Sequence, residues 1–404
     1  MKDHSILAMG NFSTTTESLE FLKNRFKEYY KKSNIELPDR FGKREFAFVF
    51  FGGRGMYRHL SFDKKRTFSN FVKEKSPAHA YYSTAYYQKP DASTMQEKGW
   101  MGAELIFDLD SDHLPNAERY SYTQQLELVK EEFKKLVNDF LICDFGFDEK
   151  HLELYFSGGR GYHCHVKDPK IMCLGSNERR EIVDYITGRD LIESVLFHEQ
   201  VTSTMKIRGK TVPTSKTLKM PKPTEAGWRG RISRGIIEIV SEIKNSKYPI
   251  EKLKEYGVKE KEAEKLLTDL SEERIKRIKE GNLDQTKTIR RFFLNNALRK
   301  TAVMMGAGET DEPVTCDVKR LIRLPGSLHG KTAFKVTKIN IDQLDDFNPL
   351  TDTIAISDKS VEIELDVPFQ IELKGEKFDL EKGKQDVPTY LATFLIGQKV
   401  ANIV

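Results

Sequence analysis

The chain has 404 residues, which is long for one domain and suits two or three domains of about 150 residues each. Lys and Arg exceed Asp and Glu by only 66 to 61, so a nucleic-acid-binding surface would have to come from local clustering of positive charge. The longest purely apolar run, residues 46–51, is far shorter than the ~20 residues of a membrane-spanning helix, and the N-terminus lacks the pattern of a secretory signal. We therefore expect a soluble cytoplasmic protein.

The first half of the chain mixes helix and strand signals. Residues 18–32 have the spacing of an amphipathic helix, and residues 44–51 read as a buried strand that ends at Gly52-Gly53. Strand-like runs follow at residues 80–87 and 103–109, and residues 126–140 have helical spacing. A strand at residues 152–156, a glycine-rich turn and a second strand after it predict a β-hairpin.

From residue 178 to about residue 300 the pattern is mostly helical, which predicts an inserted helical subdomain. Within it, residues 201–235 hold nine basic side chains against Glu225 alone: Lys206, Arg208, Lys210, Lys216, Lys219, Lys222, Arg229, Arg231 and Arg234. This basic stretch is either a contact surface for a nucleic-acid backbone or a solvated flexible loop. Strands are predicted again at residues 319–324 and 332–339, and the tail ends in an apolar helix at residues 390–398.

Two carboxylates stand at alternate positions of a predicted strand. Asp108 and Asp110 in the sequence AELIFDLD are two residues apart, so their side chains leave the same face. Two such carboxylates repel unless a cation lies between them, and an all-oxygen ligand set suits Mg²⁺ or Mn²⁺. Taken alone, the motif fits a solvent-facing pair of aspartates at a strand end even better, because short motifs match often.

The second motif is the glycine-rich run from Ser157 to His163. Its three glycines let backbone N–H groups approach an anion, Arg160 can donate two hydrogen bonds to phosphate, and Ser157 and His163 add donors. This composition is typical of a triphosphate-binding loop, although a hairpin turn with an exposed arginine is the alternative. It lacks the Gly-Lys-Ser/Thr ending of a Walker A loop.

The third cluster covers residues 311–331. It has carboxylates at its start, a predicted strand with Arg320 and Arg323, and a turn with His329 and Lys331. A third carboxylate would complete a two-metal site, and Arg323 with His329 could offset the charge of a transferring phosphate. Each cluster alone also fits a structural role, but together the three supply the parts of nucleotidyl transfer.

These three clusters resemble, in order and spacing, the motifs of the small catalytic subunit of archaeal and eukaryotic-type DNA primases. The resembling segments are FDLD, SGGRGYHCHV and the run from Asp311 to Lys331. Local likeness to the archaeal branch, as in REFAFVF, AYYSTAYY and DVPTYLATFL, extends over nearly the whole chain.

The resemblance implies an α+β fold, the archaeo-eukaryotic primase type, with mixed β-sheets flanked by helices. We expect the first part of the catalytic core in residues 1–190, a mainly helical insertion with the basic stretch in 191–300, the second part of the core in 301–345, and a C-terminal extension packed on the core in 346–404. The implied activity is synthesis of short RNA or DNA primers on single-stranded DNA from nucleoside triphosphates, with Mg²⁺ or Mn²⁺. The implied partner is a large, iron–sulfur-bearing primase subunit.

The resemblance also assigns roles to residues. Asp108 and Asp110 match the metal carboxylates of the first motif, and the third carboxylate lies eighteen residues before His329, which selects Asp311 and leaves Asp317 as the alternative. The positions that match contacts to the nucleotide triphosphate are Ser157, Arg160, His163, Arg323, His329 and Arg58.

One feature of many relatives is missing from the sequence. They carry a zinc-binding cluster of Cys and His after the first motif, whereas residues 111–139 contain only His113 and no cysteine, so no structural zinc is predicted there. His163, Cys164, His165 and Cys173 do not replace it, because adjacent side chains of a strand point to opposite faces.

Two other functions remain open. A stand-alone primase-polymerase of a mobile element or repair system shares the three motifs, although the full-length resemblance disfavours it. A non-catalytic, single-strand-binding scaffold of the replication machinery would have no need for repelling carboxylates. Metal dependence separates the scaffold from the enzymes.

Overall fold

The computed structural model describes residues 14–404 except 115, 190, 284–285, 299–300, 303–305 and 307–309. The α-helices discussed below are α1 Thr16–Lys32, α2 Lys65–Lys75, α3 Met95–Lys98, α4 Tyr122–Lys135, α5 Ser176–Thr187, α6 Glu193–Leu196, α7 Gly227–Asn245, α8 Pro249–Glu255, α9 Glu260–Asp269, α10 Glu272–Lys279, α11 Lys287–Arg291, α12 Glu312–Cys316, α13 Pro349–Asp352 and α14 Thr389–Gly397. Two π-helical segments, Leu136–Asp144 and Phe292–Ala297, accompany them.

The strands are β1 Phe46–Val49, β2 Met56–Leu60, β3 His79–Ser83, β4 Ala85–Tyr87, β5 Trp100–Ala103, β6 Leu105–Asp110, β7 Leu152–Phe156, β8 Gly161–Val166, β9 His198–Ile207, β10 Lys210–Lys219, β11 Asn282–Leu283, β12 Leu321–Arg323, β13 Thr337–Ile339, β14 Ser360–Leu365, β15 Phe369–Leu373, β16 Glu376–Leu380, β17 Gly383–Pro388 and β18 Ala401–Ile403. This mixture of helices and small antiparallel sheets confirms the predicted α+β class.

The chain forms two compact units. The first comprises the described residues of Met1–Val137, Gly146–Glu181 and Glu309–Val404, and the second those of Asn138–Phe145 and Ile182–Gly308. All three motifs of the sequence analysis therefore belong to the first unit.

The predicted first helix is confirmed as α1. The hydroxyl of Thr15 caps it by accepting the N–H of Ser18 at 3.1 Å, and two lysines in its last turn complement the helix dipole. Leu22, Phe26 and Tyr30 recur every four residues and are buried, so one helix face packs on the core of the first unit.

Two four-stranded antiparallel sheets enclose the core of the first unit, in the orders β12-β3-β1-β2 and β13-β7-β8-β6. Phe46 and Tyr82 of the first sheet belong to the same buried cluster as Ile106 of the second. Aromatic and aliphatic side chains fill most of the space between the sheets, together with buried His165, whose ring stacks on Tyr82. The functional motifs lie on strands that this core holds in place.

Two predicted strands are each divided in the structure. The run 80–87 forms β3 and β4 in different sheets, because the N–H of Thr84 between them turns to the carbonyl oxygen of Arg320 at 2.9 Å. The run 103–109 belongs to β5 and β6, which Glu104 separates. Hydrophobic alternation continues across both breaks, so the sequence pattern alone did not reveal them.

Other predicted elements are present, but they begin or end at different residues. The hairpin of β7 and β8 is confirmed, with Phe156 opposite Tyr162. The predicted helix 126–140 begins earlier, at α4, because Ser121 and Gln124 form a capping box. Predicted strands 319–324 and 332–339 appear as the shorter β12 and β13, and the last helix is α14.

The second unit contains a hairpin that the mainly helical prediction missed. Its strands β9 and β10 are ten residues each and are joined by Arg208 and Gly209, whose φ angles are 49° and 77°. Positive φ at both turn residues matches the twist of the flanking strands. The signal was the run of Thr, Ser and β-branched residues on both sides of an Arg-Gly pair. In the part of the chain that the structure describes, no helix is long and apolar enough to cross a membrane.

Candidate active site

The first motif lies on β6, which pairs with β8 of the second motif. Asp108 stands opposite His163, and Asp110 stands opposite Gly161. A Cβ atom on Gly161 would lie 2.2 Å from the carbonyl oxygen of Leu109, so only glycine allows the two strands to approach this closely. The two aspartates leave the same face of β6, as predicted, and Leu109 between them is buried.

The carboxylates of this pair have different surroundings. Burial by itself would raise the pKa of Asp108, but the Nε2 atom of His163, 3.1 Å from Oδ1, holds it below the usual value. Burial raises the pKa of Asp110, although the N–H of Asp112 and the charge of Arg160 oppose the rise. Since the negative charges of Asp108 and Asp112 also disfavour ionisation of Asp110, a bound cation would stabilise its charged form.

The glycine-rich turn of the second motif is held by its own side chains. Ser157 Oγ accepts the N–H groups of Gly159 at 3.2 Å and Gly161 at 3.3 Å. Arg160 contacts the carboxylate of Asp112, and its Nε atom is 3.9 Å from Oδ1 of Asp110. The turn therefore places a guanidinium group beside the carboxylates of the first motif.

The third motif adds a second arginine. Arg323 of β12 lies with its guanidinium carbon 4.9 Å from the ring centre of Tyr81 and donates to Nδ1 of His79. The N–H of Gly330 donates to the same nitrogen at 3.1 Å. Burial, with the charges of Arg323 and Lys331, lowers the pKa of His79 to about 3, so this ring is neutral and accepts both hydrogen bonds.

His329 is enclosed in the same cluster. Its ring centre is 4.9 Å from that of His79, and its Nδ1 atom is 3.2 Å from the hydroxyl of Thr332. Burial first, and then the charge of Arg323, holds the pKa of His329 well below its usual value. His329 is therefore neutral near pH 7 and can donate or accept hydrogen bonds in the site without adding a positive charge.

These residues line one cavity of about 900 Å³ in the first unit. It brings together seven of the predicted site residues: Asp108, Asp110, Ser157, Arg160, His163, Arg323 and His329. Its lining also includes Arg320 and Lys331 of the third cluster, and side chains that sequence reasoning missed, among them His79, Tyr81, Tyr122 and Thr332. The sequence around His79 did not indicate a site residue, because His79 meets its partners only through the pairing of β3 with β12.

A further wall of the cavity comes from the C-terminal segment, through Phe369, Gln370, Ile371, Phe394, Gln398 and Lys399. Gln398 donates to the carbonyl oxygen of Lys331 at 2.9 Å, and a Cβ on Gly397 would lie 2.4 Å from that oxygen. Tyr122 links this wall to the second motif, because its hydroxyl donates to the carbonyl oxygen of Gly159 at 2.7 Å while its ring packs on Phe394.

Two predicted residues, Asp311 and Arg58, are not in the cavity lining. Asp311 nevertheless lies against β6, since its N–H donates to the carbonyl oxygen of Asp108 at 2.9 Å. The alternative, Asp317, is exposed and accepts the N–H of Lys319 at 2.9 Å. Arg58 is on β2, where its Nε atom is 3.1 Å from the buried carboxylate of Glu45.

The donor set can be compared with the needs of a divalent cation. Among the described residues, no group of three or more His, Cys, Asp or Glu side chains is arranged to hold a metal ion. Asp108 and Asp110 do share one face and one cavity. Mg²⁺ is commonly bound through one or two carboxylates together with waters and substrate phosphates, so this pair fits such an ion.

Comparison with known proteins gives a consistent result. A family model described as the DNA primase small subunit matches residues 107–341. The chain is 42% identical over 402 residues to the DNA primase small subunit of Methanosarcina acetivorans, covering 95% of this chain and 96% of that protein. It is 39% identical over 389 residues to the DNA primase small subunit of Picrophilus torridus, covering 94% and 97% of the two chains. The corresponding protein of Methanospirillum hungatei is 36% identical over 400 residues.

Proposed function

The chain belongs to the DNA primase small subunit family, and on that premise we propose that it makes primers on single-stranded DNA by metal-dependent nucleotidyl transfer at the cavity around Asp108 and Asp110. Membership makes it a catalytic primase subunit, a nucleotidyltransferase of DNA replication. One observation carries the assignment of the site: two carboxylates of one strand face share a cavity with Arg160 and Arg323.

The nucleotide triphosphate would be bound by the second and third motifs. Arg160 and Arg323 supply guanidinium donors, and Ser157 with the N–H groups of its turn supplies neutral ones. Binding of a phosphate by Arg160 requires that it exchange the carboxylate of Asp112 for phosphate oxygens. Neutral His79 accepts a hydrogen bond from the guanidinium of Arg323 and so orients it.

Asp108 and Asp110 are the residues that would hold Mg²⁺ or Mn²⁺, with Asp311 as the third carboxylate. When bound, such ions lower the pKa of the attacking 3′-hydroxyl and offset negative charge on the phosphates. His163 fixes the orientation of the Asp108 carboxylate through its 3.1 Å contact. The support for Asp311 over Asp317 is its backbone hydrogen bond to Asp108.

The remaining parts of the proposal concern partners. The family name of a small subunit implies a large primase subunit, and primer synthesis implies a single-stranded DNA template and nucleoside triphosphates as substrates. DNA replication takes place where the DNA is, so we propose that the protein is located in the cytoplasm.

Arg58 stays a predicted contact to a phosphate of the nucleotide. To bind it, Arg58 would have to exchange the carboxylate of Glu45 for the phosphate.

The direct test is synthesis by the purified chain on unprimed single-stranded DNA with labelled nucleotides and Mg²⁺, Mn²⁺ or a chelator. Metal-dependent products are expected, and Arg160→Ala should lower the yield strongly, whereas the exposed Arg66→Ala on α2 serves as the matched control. If DNA binding persists while no product forms with any metal, even after the large subunit is added, the proposal fails and the scaffold function is favoured.

A further inference from the structure

The hairpin of β9 and β10 is exposed along most of its length. All ten residues of β9 and the first seven of β10 are exposed to solvent. Ten residues of strand span about 33 Å. A two-stranded ribbon that no other layer covers is only marginally stable in water, so a bound partner would stabilise it.

Positive charge is concentrated at the tip of this hairpin. Lys206 and Lys210 flank the turn that contains Arg208, and within the described part of the chain these three side chains form no ion pair or hydrogen bond. The hairpin, residues 198–219, has five basic side chains and one acidic side chain, Glu199. That carboxylate is paired with Lys216 and Arg290, each at 2.9 Å, so it does not neutralise the tip.

Apart from Lys222, whose side chain forms no ion pair or hydrogen bond within the described residues, the other basic side chains of the stretch 201–235 have partners inside the second unit. Arg229 is 2.7 Å from the carboxylate of Glu225, and Arg231 is buried against Asp144. Arg234 donates to the carbonyl oxygen of Pro223 at 2.6 Å. The structure thus divides the predicted basic stretch into arginines of α7 that stabilise the fold and a hairpin tip whose charges face solvent.

The composition of the ribbon fits a phosphate backbone. Along its exposed part it carries the hydroxyls of Thr202, Ser203, Thr204, Thr211, Thr214 and Ser215. Hydroxyl, Lys and Arg side chains are the usual donors to nucleic-acid phosphates, and their binding is independent of sequence. A second copy of the same hairpin is disfavoured as occupant, because the two tips would repel each other.

We propose that the tip formed by Lys206, Arg208 and Lys210 is a nucleic-acid-binding arm that contacts the phosphate backbone of the template or of the primer–template duplex. This inference rests on the proposed function only for the identity of the nucleic acid. The exposed apolar residues Val201 and Met205 of β9 would suit a protein partner, but the unpaired charge of the tip favours phosphates.

The test is the salt dependence of DNA binding by the triple variant Lys206→Ala, Arg208→Ala and Lys210→Ala. Equilibrium binding is measured on a single-stranded oligonucleotide and on a primer–template duplex, without nucleotides. If each side chain contacts one phosphate, the slope of log K against log salt concentration falls in magnitude by about 2 on the single strand and about 3 on the duplex. A loss of the expected size on only one of the two identifies that nucleic acid as the one that the arm contacts, and such losses on both show that it contacts both.

Two controls accompany it. The triple variant Lys244→Ala, Lys252→Ala and Lys254→Ala removes the same charge from lysines that are paired with carboxylates, and its slope is expected to match the wild type. The charge-conserving Lys206→Arg, Arg208→Lys and Lys210→Arg should also bind like the wild type. Circular dichroism checks that each variant is folded.

An unchanged slope for the alanine tip variant would overturn the proposal and favour a protein partner on this face. Equal losses in the tip variant and the paired-lysine control would overturn it too, since the effect would then be one of net charge alone. Asp110→Asn should keep the wild-type slope while losing synthesis. The arm and the catalytic assignment can therefore fail independently.

Discussion

The backbone N–H of Asp311 donates to the carbonyl oxygen of Asp108 at 2.9 Å. Next to this hydrogen bond, Thr310 and Leu109 form an isolated antiparallel bridge. The acidic segment before α12 is therefore attached to the edge of β6, where the carboxylates of the first motif lie. Asp317 follows the same short helix but is exposed at its far end.

This attachment predicts different effects for two similar substitutions. Asp311→Asn is expected to lower kcat for primer synthesis by about 100-fold or more, because a carboxylate proposed to hold the divalent cation is lost. Asp317→Asn should stay near the wild type. The two variants are compared by steady-state kinetics over a range of Mn²⁺ concentrations. A large loss of kcat in Asp317→Asn alone would assign the role of the third carboxylate to Asp317.

Gly161→Ala adds only a methyl group, and it is expected to abolish primer synthesis. The added Cβ would lie 2.2 Å from the carbonyl oxygen of Leu109, so β8 must move away from β6 and Asp108 loses its contact with His163. Gly42→Ala, where the nearest atom is 3.8 Å away, is the control. Activity and thermal unfolding are measured together. Wild-type activity in Gly161→Ala would show that the β6–β8 spacing does not matter for the reaction.

Tyr122→Phe tests the link between the C-terminal wall of the cavity and the glycine-rich turn of the second motif. The variant keeps the ring contact with Phe394 but loses the 2.7 Å hydrogen bond to Gly159. A hydrogen bond contributes about 1 kcal/mol, so the KM for nucleotide should rise about fivefold with little change in kcat. The exposed Tyr120→Phe is the control. An unaltered KM would mean that this hydroxyl does not order the loop.

Acid stability depends on a buried ion pair outside the cavity. Burial by itself would raise the pKa of Glu104, but Arg44 and His165 lower it from 4.5 to about 2. A carboxyl whose pKa is lower in the folded state stabilises the fold above pH 4.5, and this contribution is lost as the pH falls through about 2.

Glu104→Gln should therefore lower the free energy of unfolding by about 3 kcal/mol at pH 7, since buried Arg44 loses its buried carboxylate and keeps only the half-exposed Asp39 as an acidic partner. The same variant should lose less stability than the wild type between pH 4.5 and 2. Urea unfolding at several pH values measures both, with the exposed Glu20→Gln as control. If the free energy of unfolding had the same pH dependence in the wild type and in Glu104→Gln, this carboxylate would be ruled out as the source of the loss of stability in acid.

Local patterns sufficed for part of the structure. Helix α1 and the β7–β8 hairpin have caps, periodicity and glycine turns within a few residues, so both could be predicted. The strand alternation also placed Asp108 and Asp110 on one face. The identity of the site came instead from three motifs read together, and their membership in one cavity required the fold.

The rest depends on contacts between distant segments. His79 becomes a site residue only through the pairing of β3 with β12, which places it beside Arg323. Lys399 lines the cavity because the end of α14 packs on the loop of Lys331. The residue pattern within either segment does not reveal that the two segments are in contact. The β9–β10 hairpin was missed for another reason, because helical signals on both sides of it dominated the composition.

The most direct measurement is primer synthesis on unprimed single-stranded DNA by wild type, Asp110→Asn and the exposed control Asp342→Asn, at increasing Mg²⁺ or Mn²⁺. The wild type and Asp342→Asn should give metal-dependent products, and Asp110→Asn should give none while it still binds DNA. Products from Asp110→Asn at wild-type rate and wild-type metal dependence would contradict the assignment of the active site to the cavity around Asp108 and Asp110.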